Sequence, residues 1–329
     1  MRVFVTHDPE DLDAYYGRAL PELQSVADVV VNPLDHDLTT DELVEHSSGC
    51  QVVIAHRSTP GEAALFERNR DVVAFLRTAV DISTVDVEAA SRNGVLVAHA
   101  DKSFVPSTAE IALALMLDLA RNVSESTIDY RRGVQPAQRP GFQLRGKVAG
   151  LIGCGAIGSY LADALVALGV EVLVADPYTH VGGAGIRQVE LPELLAAADF
   201  VLPLAASTPE TENLIDSDAM AQMKDGAMLV NVSRGELLDE QAVAAALDSG
   251  RLGGLAMDVG RAPDQRPTPE LAARPGVVAT PHLGGLTPEN ADAQAMSSVE
   301  QVRAILAREM PPRAVNADDA TRLRAWWQT

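Results

Sequence analysis

The chain is most easily bounded by what it lacks. It has two cysteines, Cys50 and Cys154, too few for a disulfide framework, so a reduced, cytoplasmic protein is expected. It also lacks positive charge: 46 acidic against 26 basic residues leave a formal net charge of −20, and neither nucleic acid nor an anionic membrane is an expected partner. The opening MRVFVTHDPE has no basic start or apolar run of the kind that marks a signal peptide. The most apolar segment, IALALMLDLA from Ile111, is short and carries Asp118, so no membrane span is expected. No internal repeat or low-complexity tract is present, and no metal is expected. What remains is 329 residues, 47% hydrophobic, with a mean hydropathy of +0.04. That is enough for two globular domains.

Along the first hundred residues, RVFVT, DVVVN, QVVIAH, VVAFLRTAV and VLVAHA read as strands, with helical stretches between several of them. This alternation predicts a parallel sheet covered by helices. At SFVPSTAEIALALMLDLARNV, Ser107 and Glu110 predict a capping box opening a helix that is apolar nearly all round. A second series follows: VAGLI, EVLVA, DFVLPL, AMLVNV, LGGLAMD and GVVAT alternate with helical segments. The tail LRAWWQT holds Trp326 and Trp327, which are expected to pack on their own domain.

LIGCGAIG places Gly153, Gly155 and Gly158 directly after a strand and at the start of a helix, with Asp176 ending the next strand. Gly153 permits a tight turn, Gly155 lets the backbone approach a pyrophosphate, and Gly158 lets helix and strand pack closely. Asp176 is placed to accept from both ribose hydroxyls and to repel a 2′-phosphate, which favours NAD over NADP.

Ligands of open α/β sheets bind beyond the carboxyl ends of the strands. Arg234 after AMLVNVS, Asp258 at the end of GGLAM and His282 after GVVATP all fall there. Chemistry at a nicotinamide needs a cation that orients a carbonyl and a group that exchanges a proton near neutral pH. Arginine keeps its proton, so the acid–base role falls to His282.

These residues carry a resemblance. LIGCGAIG, STPETENLI, MKDGAMLVNVSRGELLDEQAVAAAL, LAMDV, TPHLGGLTPE and RAVN resemble the D-isomer-specific 2-hydroxyacid dehydrogenase family, most strongly from Gly146 to Pro288. The resemblance implies two doubly wound parallel-sheet α/β domains: a Rossmann NAD-binding domain over 103–286 and a flavodoxin-like substrate domain from 1–102 plus 287–329. It implies a homodimer, with the long apolar helix at the interface. It makes Arg234 the substrate-orienting cation and His282 the acid–base, sets Asp258 on the nicotinamide amide, and lines the NAD site with Ala156, Ile157, Thr208, Val232, Ser233 and Gly284. The implied activity is hydride transfer between NAD and a 2-hydroxy or 2-keto acid.

The sequence departs from the family in three places. Most members carry a glutamate just before a proline a few residues after the strand-end aspartate, hydrogen-bonded to the catalytic histidine. Here DVGRAP puts Ala262 before Pro263. Without that carboxylate His282 is expected to serve better as a base, with the Asp264 carboxylate a candidate substitute. The family's substrate-holding glycine turn corresponds to RTAVDISTVD, where Ala79 and Asp81 replace glycines and Val80 is a candidate contact. Beyond the next strand stands Lys102, which is either solvated or paired with Asp81, or else contacts an extra acidic group on the substrate, and Arg57 is either a further anion contact or a surface residue. In VLPLAASTPET, Leu204 and Ala206 replace a proline and a histidine. These departures keep two other functions open: an NAD(H)-binding regulatory or corepressor-like protein with little turnover, and a dehydrogenase of a different small anion or bulkier alcohol.

Overall fold

A computed structural model describes residues 1–329, which divide into two compact units, Met1–Ser103 with Pro288–Thr329, and Phe104–Thr287. The first unit is built on five parallel strands: β1 (Arg2–Val5), β2 (Asp28–Val31), β3 (Val52–Ala55), β4 (Ala74–Arg77) and β5 (Leu96–Ala98), in the order β2-β1-β3-β4-β5. Every residue of β3 and β4 is buried, as expected of a sheet covered on both faces. One face packs Val3, Val5, Ile54 and Leu76 against Val299 and Val302 of the Pro288–Leu306 helix; the other packs Phe4, Val53, Phe66 and Phe75. The order reverses between β1 and β3.

The second unit carries seven parallel strands: β6 (Val148–Ile152), β7 (Glu171–Ala175), β8 (Ile186–Gln188), β9 (Phe200–Pro203), β10 (Ala227–Asn231), β11 (Leu252–Met257) and β12 (Val277–Ala279). Their order is β12-β11-β10-β9-β6-β7-β8. Two apolar layers again cover the sheet. Both units are therefore doubly wound. Sequence patterning misses only β8, a three-residue edge strand with no fully buried residue and hence no apolar signature.

The capping box does not form. The long helix spans Val105–Arg121 with Phe104 as its N-cap and no side-chain cap bond, and the Ser107 hydroxyl donates to Phe104 O. Pro106 presets the first-turn backbone, so the helix starts before the serine reaches a capping position. The tryptophans pack on the core of their own unit, with Trp327 Nε1 donating to Ile305 O at 2.8 Å. No helix is long and apolar enough to cross a membrane.

Candidate active site

The turn after β6 has the predicted geometry. Gly153 is left-handed at φ +95, and a Cβ on it would meet Ala205 N at 3.0 Å; one on Gly158 would meet Gly153 O at 2.9 Å. A Cβ on Gly155 would meet nothing within 4 Å, so the space above that residue is open. The Ala156–Ala167 helix begins there without a side-chain cap, leaving first-turn amides for an anion. Gly155 and Ala156 are exposed and Ile157 is half-buried. These features fit a dinucleotide pyrophosphate.

Asp176 closes the turn from the side. Its Oδ2 accepts from Cys154 N at 2.7 Å, while Oδ1 accepts from Tyr178 N at 2.8 Å and Thr179 N at 2.9 Å. Partial burial pushes its acidity down, but the three backbone donors outweigh this and hold the carboxyl below its ordinary range. With about four acceptor positions on a carboxylate, one on Oδ2 remains.

At the end of β10, buried Asn231 organises the Arg234 turn. Its amide donates to Arg234 O at 2.8 Å and its carbonyl accepts from Ser233 N at 3.0 Å. Arg234 is half-buried and donates to Ser233 O at 2.7 Å. Val232 is 5% exposed and belongs to the core, so only its backbone is available to a ligand. Ser233 donates to Ala205 O at 3.1 Å, and the amide of exposed Thr208 donates to Thr211 Oγ1 at 2.8 Å. Sequence reasoning missed Asn231; its signal was a polar residue closing an apolar strand.

Asp258 directly follows β11 and is 1% exposed. Its Oδ1 accepts from Thr280 Oγ1 at 2.6 Å and Leu283 N at 2.7 Å, and Oδ2 accepts from Gly284 N at 2.7 Å. The carboxylate thus ties down the loop that bears His282. Gly284 is buried, and its carbonyl accepts from Thr108 Oγ1 at 3.2 Å.

His282 is left-handed at φ 62, a conformation that in a non-glycine residue stores on the order of 1 kcal/mol or more. Its Nδ1 lies 3.0 Å from the backbone carbonyl of Asp264. Asp264 and the next residue, Gln265, are also left-handed, at φ 59 and 55, and the Asp264 carboxylate lies 3.4 Å from Arg266 Nη2. The expected substitute residue is therefore in place, but the atom facing His282 is its carbonyl oxygen. A carbonyl only accepts, so Nδ1 carries the hydrogen and a neutral ring keeps its lone pair on Nε2. Ala262 in the glutamate's place supplies no competing acid. A cavity lined by Asp118, Phe142, Met228, Gly254 and Val277 lies at the amino ends of β10–β12, the opposite edge from these groups.

In the first unit, the carboxyl ends of β3, β4 and β5 lead to exposed Arg57, half-buried Val80 and exposed Lys102. The loop of Lys102 pairs Asp101 with Arg313 at 3.5 Å, and Asp81 Oδ1 accepts from Ser83 N at 2.9 Å. The turn is held by Arg77, 2% exposed, which donates to Asp81 O, His56 O, Thr59 O and Thr84 Oγ1. Burial pushes its pKa down to about 10, which still leaves it charged. In sequence it was hidden at the end of the strand AFLR.

With this geometry in view, the similarity to known proteins is specific. Residues 113–284 match the model of the D-isomer specific 2-hydroxyacid dehydrogenase, NAD binding domain. The chain belongs to that family. A D-3-phosphoglycerate dehydrogenase of Mycobacterium leprae is 39% identical over 246 residues, 74% of this chain and 46% of the relative. The chain thus spans about half the length of that relative. A hydroxypyruvate reductase of Thermotoga maritima is 30% identical over 82% of this chain and 88% of its own length. A solved protein of Thermus thermophilus superposes with a TM-score of 0.84 at 32% identity, covering 96% of this chain and 100% of the other.

Proposed function

We propose that the protein is an NAD-dependent oxidoreductase that moves a hydride between the nicotinamide and C2 of a 2-hydroxy or 2-keto acid. The observation that carries this reading is the His282 Nδ1 contact with Asp264 O at 3.0 Å. It fixes the ring's orientation and leaves Nε2 to exchange the substrate hydroxyl proton. Arg234 presents parallel N–H groups suited to a carboxylate, and Asp258 holds the histidine loop. NAD, when bound, supplies the hydride acceptor or donor. With a carbonyl on Nδ1, Nε2 faces the substrate as an acceptor, and alcohol oxidation is the proposed direction.

Gly153, Gly155, Ala156, Ile157 and Gly158 are proposed to hold the pyrophosphate, Asp176 a ribose hydroxyl, and Thr208, Val232, Ser233, Asp258 and Gly284 to line the rest of the NAD site. Arg57, the Val80 turn and Lys102 are proposed as substrate contacts. Two relatives bear names of enzymes acting on small hydroxy acids, which supports the substrate class. A cytoplasmic homodimer, with Val105–Arg121 at its interface, is proposed from the two free cysteines and the apolar length of that helix.

The test is a screen of NADH consumption against 2-keto acids and of NAD⁺ reduction against 2-hydroxy acids across pH. Turnover that disappears in His282→Ala is expected. Tight NADH binding without turnover on any substrate would overturn the enzyme reading in favour of a regulatory NAD(H)-binding protein, the alternative that the absent glutamate favours.

A further inference from the structure

The exits of β1 and β3 carry a second cluster, which the oxidoreductase reading does not use. Asp11 ends the short Pro9–Asp11 helix after β1, Asp37 lies in the loop after β2, and His56 directly follows β3. β1 and β3 are neighbours at the point where the strand order reverses, the kind of crevice in which doubly wound sheets bind ligands. Each of the three side chains offers one donor atom, and these atoms all lie within 4.8 Å of one another.

The spacing is informative. His56 Nδ1 is 3.2 Å from Asp11 Oδ2. Donors held roughly 2.0–2.2 Å from a first-row dication sit about 3.0–3.5 Å apart along the edge of an octahedron or tetrahedron. The pair is already set as one such edge.

A count of hydrogens separates this arrangement from an ordinary hydrogen-bond chain. Three contacts run through it: Asp11 Oδ2 to His56 Nδ1, His56 Nδ1 to Ser58 Oγ at 2.9 Å, and Ser58 Oγ to Asp37 Oδ1. Nδ1 carries at most one hydrogen in any protonation state, the hydroxyl carries one, and ionised carboxylates carry none. Three close polar contacts thus share two hydrogens. A cation bound by the Nδ1 lone pair and both carboxylates takes the place of a hydrogen in the Asp11–His56 contact while the Ser58 hydroxyl still donates to Asp37.

The surroundings point the same way. Asp8 and Glu10 add negative charge around Asp11, opposed there by Arg57 and at His56 by Arg57 and Arg77. Against His56 packs a second imidazole, His7, with ring centroids 4.8 Å apart; it is 1% exposed, and its Nδ1 has no hydrogen-bond partner.

We propose that Asp11, Asp37 and His56 form a binding site for a divalent transition-metal cation, with Zn²⁺ and Mn²⁺ the members of that class best suited to two carboxylates and an imidazole. No metal is expected from the sequence because the three ligands are scattered along the chain from Asp11 to His56 and meet only when the strands align.

The experiment is isothermal titration of ZnCl₂ into the chelator-treated, dialysed full chain. One saturable site per chain is expected, weakened at least about tenfold by Asp37→Asn and by Asp11→Asn, which keep shape while removing charge. His36→Gln dismantles the exposed contacts of His36 with Asp35 and Glu42 and is expected to leave the affinity unchanged. Zinc is also expected to raise the melting temperature of the unaltered chain and not of Asp37→Asn. Absence of saturable binding, binding that survives both aspartate substitutions, or binding lost in His36→Gln would each overturn the proposal. None of these readouts depends on dehydrogenase turnover.

Discussion

Gly235→Ala tests how the two halves of the proposed catalytic pair are held. Gly235 directly follows Arg234, and a Cβ on it would lie 2.2 Å from Gly260 C and 2.4 Å from Gly260 O. Non-bonded heavy atoms settle at about 3.5–4.0 Å, so one backbone segment has to move by roughly 1 Å. Gly260 has no room to retreat, because its own Cβ position is 2.5 Å from Pro267 Cα. Its amide donates to Gln265 O at 2.8 Å, and the residue before Gln265 supplies the carbonyl facing His282. A shift of that size carries the carbonyl beyond hydrogen-bond reach. Overpacking of this kind costs about 1–3 kcal/mol of stability, and a misplacement near 1 Å costs on the order of 10²-fold in rate. Steady-state kinetics with the substrate found by screening, NADH binding by fluorescence and thermal melting measure the three effects. The expected result is a kcat about a hundredfold lower, with NADH affinity within about threefold because the β6 turn is untouched. A kcat within about threefold of the unaltered protein would refute the reasoning.

Three further outcomes are expected. His282→Ala abolishes turnover, whereas Asp264→Asn keeps activity within about threefold. Asparagine tolerates the left-handed backbone, and the exposed pair with Arg266 contributes only about 0–1 kcal/mol. A loss in Asp264→Asn as large as that of the histidine variant would show that the carboxylate is the partner. Ala262→Glu, by restoring an acid beside the histidine loop, is expected to move the proton-donating limb of the kcat/KM profile for ketone reduction to higher pH by up to about one unit; an unmoved profile would mean the acid does not reach His282. Asp176 titrates below the ordinary carboxylate range, so it is anionic in the folded protein until pH falls through that lowered value. NAD⁺ affinity is therefore expected to be flat from about pH 5 to 8, with Asp176→Ala weakening NADH and narrowing its preference over NADPH. A fall in affinity between about pH 6 and 5 would contradict this.

Much of the fold was legible because parallel strands are buried on both faces. Runs such as VVIA and VAGLI leave a continuous apolar signal, whereas the exposed edge strand Ile186–Gln188 leaves none. The glycine turn was legible because its requirement is local: Gly153, Gly155 and Gly158 answer to backbone geometry within a few residues. The Ser107 cap was misread for the same locality, since Pro106 moved the helix start and altered the register of everything after it. Asn231 and Arg77 escaped notice because their roles depend on where loops arrive after the strands pair.

The sequence by itself determined two parallel α/β units, a dinucleotide turn, and the order of Arg234, Asp258 and His282 at strand ends, because burial pattern and backbone chemistry are written in neighbouring residues. Only the tertiary structure decided which atoms meet. It engages Asp258 with the loop that bears His282, ties Asp176 to three backbone donors, and brings Asp11, Asp37 and His56 together across three connections. It also turns the Asp264 carbonyl, not its carboxylate, toward His282. That choice depends on backbone dihedrals set by packing between Gly235, Gly260 and Pro267, and side-chain identity at the missing glutamate's position carries no trace of it.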